Sequence, residues 1–208
     1  LPLLKANPEY LSNLQGYPTI RRRIMLDGSW VAKEEESGYF KREWCDVLLY
    51  PPDNPRKKVR VWDQSSSLPS TAQPDPDWTR GSLVSKDANS FYTVEDIKSL
   101  RDRPHKVEEL IINTAKEDGV GVTIVLAVDP GAAGVAYANS MKARLAEMGF
   151  YVKLVKTQKS KLTRFLPFSS LAEAGRVRFV KADWLEECFK ELEVFTGTRN
   201  GFHDDICD

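Results

Sequence analysis

The chain has 208 residues, enough to bury the core of one ordinary domain, and its two-fifths apolar content with five tryptophans marks a folded protein. Thirty Lys and Arg balance thirty Asp and Glu, so overall charge favours no polyanionic partner and any nucleic-acid face must come from segregated charge. Three cysteines with no C-x-x-C pair argue against a disulfide framework or a zinc ribbon, and no apolar run approaches the ~20 residues of a membrane span.

The N-terminus "LPLLKANPEYL" has neither the basic flank nor the apolar core of a signal peptide. Residues 1–50 carry no alternating strand pattern and read as short helical turns followed by the charged stretch "AKEEESGYFKREW". The proline-rich "YPPDNPRKK" marks a linker or loop, and the main domain is expected from about residue 56 onward. "KVRVWD" predicts a short strand ending on Asp63, and the polar "QSSSLPSTAQPDPD" a loop. "WTRGSLVSK" and "SFYTVEDI" predict two strands joined by the turn "DANS".

"RPHKVEELIINTAKEDG" predicts a helix with Pro104 at its first position, Val107, Leu110, Ile111 and Thr114/Ala115 on one face, and Gly119 as terminator. "VTIVLAVD" is a continuous apolar run, the pattern of a strand buried on both faces. "AGVAYANSMKARLAEMG" follows as a helix with Ala138, Met141, Leu145 and Met148 on one stripe. Then come the strand "YVKLV", the helix "SKLTRFLPFSSLAEAG" with a kink or restart expected at Pro167, and the strand "RVRFV". "DWLEECFKELEVF" predicts a helix opened by an Asp183…Glu186 capping box, and "HDDICD" the start of one more. The order β-β-β-α-β-α-β-α-β-α predicts an α/β fold, a mixed sheet covered by helices.

Three acidic positions fall at comparable places. Asp63 ends the first strand, Asp129 ends the apolar central strand, and Asp204 and Asp205 begin the final helix. Ligands in open α/β sheets bind at the carboxyl ends of strands. If the first and fourth strands are parallel neighbours, both aspartates emerge at one edge, and converging carboxylates suit a hard, oxygen-seeking cation. Each piece has an ordinary reading as well: Asp63 before "QSSS" as an Asx turn, "VDPGAAG" as a turn, and "HDD" as a helix cap. A nucleotide loop is excluded by spacing, since neither G-x-G-x-x-G nor G-x-x-x-x-G-K-[ST] occurs.

The basic residues are segregated. Lys153, Lys156, Lys159, Lys161 and Arg164 fall within twelve residues, and Arg176, Arg178 and Lys181 follow. Such a run is usually a solvated face, but beside an acidic metal centre it suits a phosphate backbone. Phe165 and Phe168 read as core, and His105 as a surface residue.

Taken together, "NPEYLSNLQGYPTIRRRIMLDGSW", "RVWDQSSS…PDWTRGSLV", "FYTVEDI", "VLAVDPGAAG", "KTQKSKLTRFLPFSSLAEAGRVRFV" and "HDDICD" resemble the C-terminal nuclease domain of the large terminase subunit of tailed bacteriophages. The resemblance covers nearly the whole chain. It implies a ribonuclease H-like mixed sheet flanked by helices and metal-dependent endonuclease activity on double-stranded, concatemeric viral DNA during packaging. It divides the chain into the tail of an upstream ATPase domain with its linker over residues 1–55 and the nuclease domain over 56–208. Asp63, Asp129, Asp204 and Asp205 correspond to the family's catalytic acids, and His203 is an additional candidate ligand. The central position is often glutamate in the family and is the shorter aspartate here.

Two Mg²⁺ or Mn²⁺ ions, roughly 3.5–4 Å apart with substrate bound, are implied, with Lys156, Lys159, Lys161 and Arg164 on the DNA. Implied partners are the portal ring, the small terminase subunit and the upstream ATPase domain, in the host cytoplasm at the procapsid portal vertex and with no membrane. Two rival readings are a non-catalytic ribonuclease H-like module that binds DNA or the portal, and a junction-resolvase-like nuclease.

Overall fold

A computed structural model describes residues 38–65, 68, 76–128, 131–156 and 160–195. It contains seven strands, β1 Asp46–Leu48, β2 Lys57–Asp63, β3 Thr79–Lys86, β4 Tyr92–Leu100, β5 Thr123–Val128, β6 Val152–Lys156 and β7 Val177–Val180. The helices among the described residues are α1 Pro104–Asp118, α2 Ala132–Glu147, α3 Lys161–Glu173 and α4 Leu185–Val194. The strands form one mixed sheet in the order β1-β7-β4-β3-β2-β5-β6. Only β3 is antiparallel to its neighbours. The carboxyl ends of the other six strands therefore share one edge of the sheet, and β3 starts there. The alternation of strands and helices after β4 is what produces this arrangement, because each crossover helix returns the chain to the same side.

The helices cover the two faces separately. Under α1 and α2 lie Trp62, Ile124, Leu126 and Val152 of the sheet, packed on Val107, Ile111, Met141 and Leu145. Under α3 and α4 lie Ile97, Val177 and Phe179, packed on Phe165, Leu166, Phe189 and Leu192. On β2, Arg60 is 1 % exposed. Its Nε and Nη2 donate to Asp118 at 2.8 and 2.7 Å, and its Nη1 donates to Asp96 at 2.8 Å and to the Gly81 carbonyl at 2.9 Å. Burial alone would lower the guanidinium pKa, but Asp118 and Asp96 outweigh it and hold the pKa above its ordinary value. Next along the strand, Trp62 lies against Gly81, where a Cβ would fall 2.5 Å from the indole ring. Only glycine fits at that position.

Helix α1 has the expected bounds: Pro104 opens it, Val107, Ile111, Thr114 and Ala115 are buried, and Gly119 ends it at φ 81°. Elsewhere the structure departs from the sequence pattern. The short β1 adds to the sheet edge by pairing Asp46 with Arg178 and Leu48 with Val180. The segment before it is pinned to α4 by Arg42, whose Nε and Nη2 donate to Glu193 at 2.9 and 3.0 Å, and Tyr39 and Phe40 are buried. Strand β5 alternates buried and half-buried residues, so one of its faces is fully covered and the other is not. Met148 is 40 % exposed because it lies past the last turn of α2. Helix α3 continues through Pro167 without a restart. Helix α4 opens with Trp184 at its N-cap and has no side-chain cap, so the expected Asp183…Glu186 box does not form. The "HDDICD" segment lies outside the described residues.

Candidate active site at the carboxyl edge of the sheet

Asp63 is the last residue of β2, which pairs in parallel with β5 and sets Trp62 opposite Leu126. The two strands thus end together at the edge where the six carboxyl termini meet. The backbone after Asp63 is held by β3: Ser65 N donates to Thr79 Oγ1 at 3.0 Å, and Thr79 Oγ1 donates back to the Ser65 carbonyl. Thr79 is fully buried. An Asx turn at Asp63 would need the Ser65 amide, and that amide is committed to Thr79.

A cavity of about 270 Å³ opens at this point, walled by Asp63, Gln64 and Ser65, by Pro104 of α1, and by Gly134 and Tyr137 of α2. Tyr137 is half-buried, and burial together with the Glu108 carboxylate raises its pKa against the opposing effect of Arg144. It is therefore a neutral hydroxyl at physiological pH. The Gln64 carboxamide is buried, and neither Oε1 nor Nε2 has a hydrogen-bond partner among the described residues. Nothing in the polar run "QSSS" distinguished Gln64, and nothing in "AGVAYANS" distinguished Tyr137, since burial is not visible in sequence.

Asp129, His203, Asp204 and Asp205 lie outside the described residues. Among the described residues, no group of three or more His, Cys, Asp or Glu side chains is placed to hold a metal ion. What the structure offers such an ion is a carboxylate at a strand terminus, in the wall of a cavity with an unpartnered amide beside it. A carboxylate and an amide oxygen are hard donors of the kind such a dication takes.

Of the basic residues, Lys156 ends β6 at the same edge and is exposed. It stands two strands from β2, roughly 10 Å across the sheet at ordinary strand spacing. Lys161 and Arg164 lie in the first turn of α3, half-buried, and Lys159 is outside the described residues. Arg176 and Arg178 do not join this group. They lie at the start of β7, on the opposite edge, where their guanidinium carbons sit 4.9 and 3.6 Å from the Phe91 ring centre and Arg178 pairs with Asp87 at 3.7 Å. The direction of β7 separates them from Lys181, which follows its carboxyl end. Phe165 and Phe168 are part of the apolar layer under α3, as the sequence suggested, and His105 is 77 % exposed and contacts Glu109.

The family model described as the terminase RNaseH-like domain matches residues 60–208. Among solved structures, the fold is similar to the large terminase nuclease domain of Thermus phage P74-26, with TM-score 0.56, 14% identity, and coverage of 82% of this chain and 90% of that one. It is also similar to the large terminase nuclease of thermophilic phage G20c with bound magnesium (TM-score 0.52, 12% identity, coverage 81% and 92%) and with bound zinc (TM-score 0.51, 14% identity, coverage 84% and 93%). No curated protein sequence matches the chain. Among the described residues no helix is long and apolar enough to cross a membrane.

Proposed function

Because the chain belongs to the terminase RNaseH-like domain family, we propose that it is the metal-dependent endonuclease of a phage large terminase subunit and cuts double-stranded concatemeric DNA during packaging. The observation that carries this reading is the position of Asp63, at the carboxyl end of β2, beside the end of parallel β5, in the wall of a cavity. Two Mg²⁺ or Mn²⁺ ions held by Asp63, Asp129, Asp204 and Asp205, with His203 as a further candidate ligand, would supply a nucleophilic water and stabilise the leaving 3′-oxygen. Asp63 would hold a metal from a fixed position, because the Ser65–Thr79 ties fix the backbone that follows it. Lys156, with Lys159, Lys161 and Arg164, holds the flanking phosphates. In this reading residues 1–55 carry the ATPase tail and linker and residues 56–208 the nuclease domain, with Tyr39, Phe40 and β1 of the linker packed onto the nuclease sheet. Its setting is the portal vertex of the procapsid in the host cytoplasm, with the portal ring and the small terminase subunit as partners.

The test is a titration of supercoiled plasmid with protein in Mn²⁺ and in EDTA. Nicked and linear products in Mn²⁺ alone support the nuclease. Binding without products in either condition favours the non-catalytic module. Preferential cutting of a four-way junction over unbranched duplex favours a resolvase-like enzyme.

A further inference from the structure

Gln64 follows the candidate ligand Asp63 and lines the same cavity. A carboxamide carries two donor hydrogens and two acceptor lone pairs, and none of these is used by a described residue although both polar atoms are buried. A buried amide with no partner is a standing cost to the fold, of the kind retained where a ligand completes the site. The opposite wall shows what that ligand would carry. Pro104 of α1 and Gly134 of α2 lie in the first turns of their helices, and both turns face the cavity. Neither helix has a side-chain hydrogen bond at its N-cap or an acidic residue in its first turn. At α1 the Asp102 carboxylate accepts from the Arg103 amide at 2.7 Å. Among the described residues the start of α2 has no such carboxylate, so its positive end is the less compensated of the two. At Gly131, the N-cap of α2, an added Cβ would meet no described residue within 4 Å.

A carboxylate on one wall and two helix starts on the other match a phosphate drawn in beside a cation on Asp63. A sugar hydroxyl would use the amide but gain nothing from the helix starts. We propose that Gln64 is a substrate-positioning residue, its Nε2–H donating to a non-bridging oxygen of a DNA phosphate seated in this cavity. The inference rests on the nuclease reading. Turning the side chain from the wall into the cavity sacrifices no hydrogen bond to a described residue, so the phosphate need only supply an acceptor.

Gln64→Leu and Gln64→Glu, compared with the unsubstituted chain, test the assignment through thermal unfolding, binding of a fluorescein-labelled duplex in Ca²⁺ and in EDTA, and steady-state cleavage in Mn²⁺. Gln64→Leu should keep or raise Tm, because it removes a buried unpartnered amide. The same variant should weaken Ca²⁺-dependent duplex binding and raise KM by roughly 3- to 10-fold, the worth of one hydrogen bond. Gln64→Glu, which is isosteric but negative, should lose more in both. The difference between Leu and Gln should vanish in EDTA, where no cation draws the phosphate in. A drop in Tm of several degrees would overturn the proposal by showing that the amide has structural partners. So would unchanged Ca²⁺ affinity and unchanged KM, or an equal loss in EDTA. If the unsubstituted chain cuts no DNA in Mn²⁺, the nuclease reading fails by itself, and the Ca²⁺ binding series still decides whether Gln64 touches a phosphate.

Discussion

Under α1 and α2, the sheet buries a charged arginine with two aspartates and packs an indole directly against a glycine. Under α3 and α4, it buries a layer of phenylalanines, among them Phe165 against Phe195 at 4.4 Å and Phe179 against Phe189 at 5.0 Å between ring centres. The second layer borders an open, largely apolar pocket of about 310 Å³ beside Val84, Val94 and Leu171. The difference lies in what each face fixes. Hydrogen bonds and the Trp62–Gly81 contact are directional and hold β2 and β3 in one position, and Asp63 ends β2. Packed rings beside an apolar pocket define volume more than position, and among the described residues that face carries no candidate metal ligand. Geometric tolerance should therefore be lowest on β2 and highest around the apolar pocket.

The largest expected effect is on chemistry. Asp63→Asn should lower Mn²⁺-dependent plasmid cleavage by at least about 10³-fold, since a metal ligand is worth several kcal/mol of charge stabilisation, while Tm stays near that of the unsubstituted chain. Next, Arg60→Met should destabilise by about 3–5 kcal/mol in urea unfolding, because Asp118, whose side chain is 8% exposed, is left buried without its cation. Gly81→Ala should cost about 1–3 kcal/mol by displacing the Trp62 ring, and cleavage should fall with it because the strand end moves. Val84→Ile, which adds a methylene beside the apolar pocket, should change stability by less than about 1 kcal/mol and leave cleavage intact. A cost at Val84 equal to that at Gly81 would break the comparison. On binding, Lys156→Ala should weaken the duplex complex a few-fold and reduce the slope of log K against log salt by about 1.

Sequence pattern was a good guide where local chemistry decides the outcome. Pro104 and Gly119 mark both ends of α1, and the alternation after residue 100 predicted the helix-covered mixed sheet. It failed where a distant partner decides. Strand β1 has three residues and exists through pairing with Arg178–Val180 more than a hundred positions away. The carboxylates Asp96 and Asp118 that make Arg60 tolerable in the core come from β4 and α1. Asp183 looked like a cap, yet the chain turns into α4 at Trp184. At the candidate site, Asp63 was readable because it ends a strand of clear pattern. Gln64 was not, since a glutamine in a polar run reads as a solvated loop until its burial is known. The ties from Thr79 to Ser65 were likewise invisible, because they join residues 14 positions apart.

The central claim is that the carboxyl end of β2 is a metal site, and a crystal of this chain soaked in Mn²⁺ tests it most directly. Anomalous scattering should place a Mn²⁺ ion on a carboxylate oxygen of Asp63, in the cavity that Gln64 and Tyr137 wall. A soak that puts Mn²⁺ elsewhere, or leaves Asp63 without it while other sites fill, would contradict the account.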